Sequence, residues 1–154
     1  MIAIVRKKRT SGFPDIFIWI IIACFGIAHC STESSIRRER IDSAFTVLLR
    51  DVRRHSDYPL VLKERRIGRT GYFYLIDSGG RILYHPEEAL IGLSFRDNPF
   101  IRKLLEKRSG CFEQLIEGQN RIILFRSVDA HRVLCLSILS SEVDSAALNC
   151  EQFE

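Results

Sequence analysis

The chain is poor in the residue patterns that carry enzyme chemistry, and the reactive residues it has are scattered. Its 154 residues include four histidines, five cysteines, four prolines, one methionine and one tryptophan. No HExxH, CxxC, GxSxG or glycine-rich phosphate loop occurs, so metalloprotease, dithiol-redox, serine-hydrolase and nucleotide sites all lack their minimal motifs. His85, Asp77 and a serine can be named as a triad, but no spacing supports one. The chain is expected not to be an enzyme, and no cofactor or metal pattern is visible.

Charge is also scarce outside one end. The formal net charge is +4, and +3 of it falls in the first 28 residues, where Arg6, Lys7, Lys8 and Arg9 outweigh Asp15. A remainder carrying only +1 gives no electrostatic reason to expect a nucleic-acid partner. At 46% hydrophobic and 27% charged residues the composition excludes wholesale disorder. The length favours a single domain behind an N-terminal segment, with the boundary placed between residues 30 and 31. Neither an internal repeat nor a low-complexity stretch is present.

The cations at Arg6 to Arg9 precede an uninterrupted apolar or small run from Ile16 to Ala28. As a helix that run rises about 20 Å, short of the roughly 30 Å hydrocarbon core, so a span would draw Asp15 to the interface. Three outcomes stay open. The segment is an uncleaved anchor with its cations cytoplasmic, a signal cleaved after Gly26-Ile27-Ala28, or a lipoprotein leader. In the last case Ile21-Ile22-Ala23-Cys24 presents Cys24 for lipidation. Each one exports the domain. In an oxidising compartment the odd set Cys111, Cys135 and Cys150 has no metal-ligand spacing and reads as small buried hydrophobes.

Beyond Ser31 a helix is expected to run to about Ser56. Its stripe Ile41, Phe45, Leu48, Leu49 and Val52 lies on one face, and Ser34 or Ser35 is available as a cap. A short helix over Leu60–Ile67 follows. The string GYFYLIDSGGRILYHP, Gly71 to Pro86, reads as a β-hairpin, with turn residues at Asp77 to Gly80 and a strand closed by proline. Asn98 caps a helix with Pro99 in its first turn, its buried face made by Phe100, Ile101, Leu104 and Leu105, and Gly110 stops it. Strands are expected at 111–116, 121–127 and 132–139. A last helix begins near Ser141 and Asp144 and carries Val143, Ala146, Ala147 and Cys150 on one face. Pattern alone gives an α+β, antiparallel fold.

The hairpin also resembles the core of the Cache family, the PAS-like extracytoplasmic sensor domains of chemoreceptors, histidine kinases and cyclases. Gly71-Tyr72, Asp77, Gly80, His85-Pro86 and Ile91-Gly92 fall in the family's order, and the resemblance covers roughly residues 36–143. It implies a five-stranded antiparallel sheet with the long N-terminal helix packed on one face. It also implies a pocket for short organic acids or similar metabolites. The family's fuller amino-acid-binding signature is absent, since the only tryptophan is Trp19 in the apolar run.

Strand parity, taking every loop as even, places the candidate residues. Tyr72, Tyr74 and Ile76 then share a face with Arg81, Leu83 and His85. Cys111, Glu113, Leu115, Ile122, Leu124, Arg126, Val133, Cys135 and Ser137 share another. Phe112, Ile116, Ile123, Phe125, Leu134, Leu136 and Ile138 form the apolar side expected to receive the long helix. Cys111 and Cys135 flank a middle strand at about 9–10 Å, beyond disulfide reach. The candidate ligand site is Tyr72, Tyr74, His85, Arg96 and Arg126, in which a guanidinium fork grips a carboxylate. The expected function is an exported, membrane-tethered small-molecule sensor on the periplasmic side of the cytoplasmic membrane. The sequence contains no output module, so a separate signalling protein is the expected partner and a homodimer is possible. The competing reading is a non-sensing PAS-like interaction or dimerisation module, or the remnant of a truncated receptor.

Overall fold

Four apolar residues at helical spacing make α1 (Arg38–Arg54): Ile41, Phe45, Leu48 and Val52 are all buried, while Arg40, Arg50, Arg53 and Arg54 face solvent. Each of those buried side chains contributes roughly 1.5–3 kcal/mol by leaving water. The computed structural model describes residues 35–55 and 57–153. The expected anchor or signal over residues 1–30, with its lipidation candidate Cys24, lies outside the described residues. Arg37 stands at the N-cap without a side-chain bond, and Ser35 lies before it, so the expected serine cap is not formed by Ser35. Among the described residues no helix is long and apolar enough to cross a membrane.

After α1 come α2 (Tyr58–Lys63), β1 (Arg66–Ile67), β2 (Gly71–Asp77) and β3 (Ile82–Tyr84). They are followed by α3 (Pro99–Lys107), β4 (Ser109–Ile116), β5 (Gln119–Ser127), β6 (Arg132–Leu139), α4 (Ser145–Leu148) and β7 (Glu151–Gln152). The sheet runs β1-β2-β6-β5-β4-β7, with β3 also beside β2. The expected five antiparallel strands are therefore seven, and β7 pairs with β4 in parallel. The two extra strands are two residues each, too short to show alternation. One of them replaces the end of the helix expected over Leu60–Ile67. The expected last helix is likewise cut to four residues, because Asn149 turns left-handed and sends the chain into β7.

The β2–β3 turn is built by its own side chain. Asp77 Oδ1 accepts from the backbone N–H of Gly79 at 2.8 Å and of Arg81 at 2.9 Å. Gly80 sits at φ +80°, and a Cβ there would lie 3.0 Å from both the Cα and the nitrogen of Arg96. Gly80→Ala is expected to cost about 1–2 kcal/mol from the left-handed backbone, with the Arg96 clash adding to it. Urea denaturation reads that loss, and an unchanged midpoint would contradict it.

Asn98 caps α3 as expected, its Oδ1 accepting from Phe100 N at 2.9 Å and Ile101 N at 3.3 Å. Arg108, left-handed at φ 60°, ends that helix ahead of Gly110. The sheet separates two apolar layers. One holds α1 against Phe73, Leu75, Ile122, Leu124, Leu134, Leu136 and Ile138. The other holds α3 against Tyr74, Ile76, Phe112, Ile123, Phe125 and Val133.

Register explains why those layers differ from the parity expected with even loops. Val128 N donates to Arg132 O, leaving Asp129, Ala130 and His131 as a three-residue loop. Asp129 holds it, accepting from His131 N at 2.8 Å and from Arg132 Nε at 2.8 Å. The odd loop puts Leu124 opposite Leu136, Phe125 opposite Cys135 and Ile123 opposite Ser137. Ile122, Leu124 and Arg126 therefore share the α1 face with Leu134, Leu136 and Ile138. Phe112, Ile116, Ile123 and Phe125 share the α3 face with Val133, Cys135 and Ser137.

Cysteines follow the same geometry. Cys111 and Cys135 are not bonded, since β5 lies between their strands, and Cys135 is a buried free thiol. Cys111 instead forms a disulfide with Cys150, their Cα atoms 4.7 Å apart. This corrects the reading of all three as unpaired hydrophobes. Cys150 is brought to β4 by the chain reversal after α4, which a continued helix would not allow.

Candidate ligand-binding site

On the α3 face, the apolar layer leaves one end of the sheet uncovered. There Tyr72 and Tyr74 of β2 stand above Ser137 and Cys135 of β6, their cross-strand partners. A bulge between Leu75 and Ile76 shifts the β3 register, setting Ile76 opposite Ile82 and Leu75 opposite Tyr84. The bulge compensates for the odd turn, so His85 still returns to the tyrosine face. Its ring meets Tyr72 edge-on at 5.2 Å between centroids and Tyr74 at 5.7 Å. Arg81 does not share that face; it is exposed and bridges to Ser94.

These residues line a cavity of about 450 Å³ together with Ile82, Leu90, Phe95, Asn98, Phe100, Ile101, Gln114, Leu115, Ile116, Glu117, Ile123 and Ser137. Mostly apolar walls with a few convergent polar groups are the usual make-up of a small-molecule site. A larger cavity of about 750 Å³ lies beside it, and Tyr72 and His85 line both. The smaller one is the candidate site because Tyr72, Tyr74 and His85 all meet there, on the sheet face turned away from α1.

The two arginines expected from sequence are not in it. Arg126 lies on the α1 face, paired with Asp42 and placed 5.1 Å from the centroid of the Phe45 ring. The odd β5–β6 loop that reverses the parity puts it there. Arg96 is exposed in the loop against Gly80, and its neighbour Phe95 lines the cavity instead. A third guanidinium, that of Arg121, does not line the cavity itself but bonds Ser137, which does. Its Nε donates to Ser137 Oγ at 2.7 Å, its Nη2 donates to Thr70 O at 3.1 Å, and its Cζ lies 5.2 Å from the Tyr72 centroid. Arg121 is two residues before Ile123 and so on the same face. An odd count for the Val128–Arg132 loop would have revealed it from sequence.

Protonation sharpens the chemistry. Burial holds the Tyr74 hydroxyl well above its ordinary value, so it stays protonated and shares a hydrogen bond with Cys135. Burial also pushes the Cys135 thiol far up, which leaves it inert beneath Tyr74. Burial lowers His85, offset in part by neighbouring Glu87. His85 Nδ1 accepts from Glu87 N at 3.0 Å, which leaves the proton of the neutral ring on Nε2. Protonating Nδ1 breaks that bond.

A lowered histidine contributes stability above its unfolded value of about 6.5, and that stability is lost as pH falls toward the depressed folded value. The melting temperature is therefore expected to drop between pH 7 and pH 5.5, and His85→Gln should flatten the drop. An equal drop in the variant would contradict the assignment.

Neither a protein-family model nor a curated protein sequence matches the chain. Solved structures do. A methyl-accepting chemotaxis protein from Vibrio parahaemolyticus is similar at TM-score 0.53 and 14% identity, over 82% of this chain and 99% of that one. The periplasmic sensor domain of a chemotaxis protein is similar at TM-score 0.52 and 16% identity, over 67% of this chain and 92% of that one. The extracellular domain of mmHK1S-Z3, assigned as a histidine kinase, gives TM-score 0.50 and 22% identity over 56% of this chain. The chain spans 36% of that structure's length. The chain shares the fold of these sensor domains, the fold that the resemblance to Cache domains implied. Among the described residues no group of three or more His, Cys, Asp or Glu could hold a metal ion.

Proposed function

We propose that this chain is an exported, non-catalytic sensing domain that binds a small organic acid or similar metabolite in the 450 Å³ cavity. The observation that carries the reading is the convergence of Tyr72, Tyr74, His85 and Ser137 on one chamber with apolar Phe100, Ile101 and Ile123, beside which Arg121 is held over Tyr72 and bonded to Ser137. A guanidinium already oriented by two hydrogen bonds loses little freedom on gripping a carboxylate, and its planar fork matches both oxygens. The Tyr72 hydroxyl and His85 Nε2–H supply further donors, and Ile123, Phe100 and Ile101 receive a short carbon chain.

An exported location is supported by the Cys111–Cys150 disulfide, a bond that persists in oxidising compartments. In this reading residues 1–30 tether the domain to the cytoplasmic membrane on its periplasmic side, and residues 31–154 form the sensor. A separate signalling protein receives the event.

A thermal-shift panel of short carboxylates tests the proposal. One acid class is expected to raise the melting temperature of the wild type, with about 2.7 kcal/mol of stabilisation at a ligand concentration 100 times Kd. Arg121→Ala should abolish that response, and Arg126→Ala should retain it. Silence across the panel, or equal loss in both variants, would overturn the reading.

A further inference from the structure

We infer that the larger, 750 Å³ cavity is a second binding site, taking a planar aromatic carboxylate. Two of its lining residues, Tyr72 and Tyr84, flank a gap in the strand pairing. β1 pairs with Gly71 and Tyr72 alone, and β3 with Leu75 and Ile76 alone. On that edge of β2 the residues between, Phe73 and Tyr74, have no neighbouring strand. Two residues of unpaired edge leave about 7 Å of open strand, and α2 and the loop after β3 wall the opening rather than fill it.

Three cations line this cavity, Lys63, Arg65 and Arg66, against two carboxylates, Asp57 and Glu88. Among the described residues none of the three cations has a carboxylate partner within ion-pair distance, unlike Arg126 and Arg132 elsewhere on the sheet. The excess of unpartnered cations favours an anion. Tyr72, Tyr84 and His85 supply aromatic surface on the same walls. Tyr84 is buried at 7% exposure, and burial holds its hydroxyl protonated although Arg66 is close enough to oppose the shift. A planar ring stacks on such a surface while a guanidinium takes its carboxylate.

The two cavities can be tested apart. Tyr72 and His85 form the wall they share, but Arg65 and Arg66 lie only on one side, whereas Ser137, which Arg121 contacts, lies only on the other. The inference stands independently of the function proposed for the smaller cavity.

The experiment is calorimetric titration of the intact chain with 4-hydroxybenzoate, using cyclohexanecarboxylate as the non-aromatic control. Saturable binding of the aromatic acid is expected, at least tenfold tighter than the control. Arg65→Ala/Arg66→Ala should weaken it at least tenfold, and Arg121→Ala should leave it within twofold. Both arginines are exposed, so the double variant should melt like the wild type. If it does not, Lys63→Glu provides the same reading from α2, again as a tenfold loss. Absence of saturable binding, equal affinity for the two acids, or a loss caused by Arg121→Ala and not by the Arg65/Arg66 pair would each overturn the site.

Discussion

Cys150→Ser is expected to lower the unfolding free energy by about 2–4 kcal/mol, the range for removing a native disulfide that closes a loop of this size. The bond joins residues 39 apart in sequence and ties the C-terminal segment to β4. Little else holds that segment. β7 contributes two residues of parallel pairing, Phe112 with Glu151 and Glu113 with Gln152. Its ion pairs from Glu151 to Lys103 and Lys107 are solvent-exposed and worth little. Phe153 packs against Phe100 at 5.2 Å and Phe112 at 5.8 Å between centroids, and this is the main apolar contact the tether protects.

Guanidinium denaturation should show the wild type under reductant matching Cys150→Ser under either condition. Cys111→Ser should behave alike. A variant as stable as the oxidised wild type would contradict the tether, as would a reductant effect that persists in it.

Glu142→Ala is expected to cost about 2–3 kcal/mol, the scale of losing hydrogen bonds to a charged acceptor. Glu142 is buried at 8% exposure. Its Oε2 accepts from Arg69 N at 2.7 Å, and the Thr70 hydroxyl also bonds the carboxylate. A Cβ on Gly68 would come within 2.3 Å of that oxygen, so the β1–β2 turn closes directly over it. The same residue's carbonyl accepts from Ile36 N at 2.8 Å, fastening the chain entering α1. One side chain therefore organises a turn while its backbone fixes the start of the long helix. Removing it takes away the acceptor of the part-buried Arg69 N–H and of the Thr70 hydroxyl.

Burial alone would raise the Glu142 carboxyl, but the hydrogen bonds from Thr70 and Arg69 outweigh it and hold the group below its usual range. A carboxylate lowered on folding adds stability above its unfolded value of about 4.3, and that stability is lost as pH falls through the folded value. Stability measured downward from pH 5 should thus decline more steeply in the wild type than in Glu142→Gln. Parallel acid limbs would contradict the assignment.

Local chemistry was legible in the sequence wherever one residue determined one feature. Asp77 and the glycines after it built the turn, Asn98 and Pro99 capped α3, and the Ile41–Val52 stripe chose the buried face of α1. Features set by counting across a loop were less secure. The three-residue Asp129–His131 loop differs by one residue from an even loop, and that difference puts Arg126 on the far face and Arg121 on the face of the cavity. His85 reached the tyrosines because an odd turn and a bulge cancelled, which no periodicity displays. The strands β1 and β7 escaped notice because two residues cannot alternate. The disulfide is not legible because helical periodicity carries through Cys150, whereas the chain turns left-handed at Asn149.

The central claim is that the polar end of the smaller cavity receives an acid, and a structure of the intact chain with the most stabilising carboxylate bound tests it most directly. The account predicts that carboxylate within hydrogen-bonding distance of the Arg121 guanidinium, between Tyr72 and Ser137, with its carbon chain toward Ile123. An acid seated at Arg126, or a chamber closed by its own side chains, would contradict it.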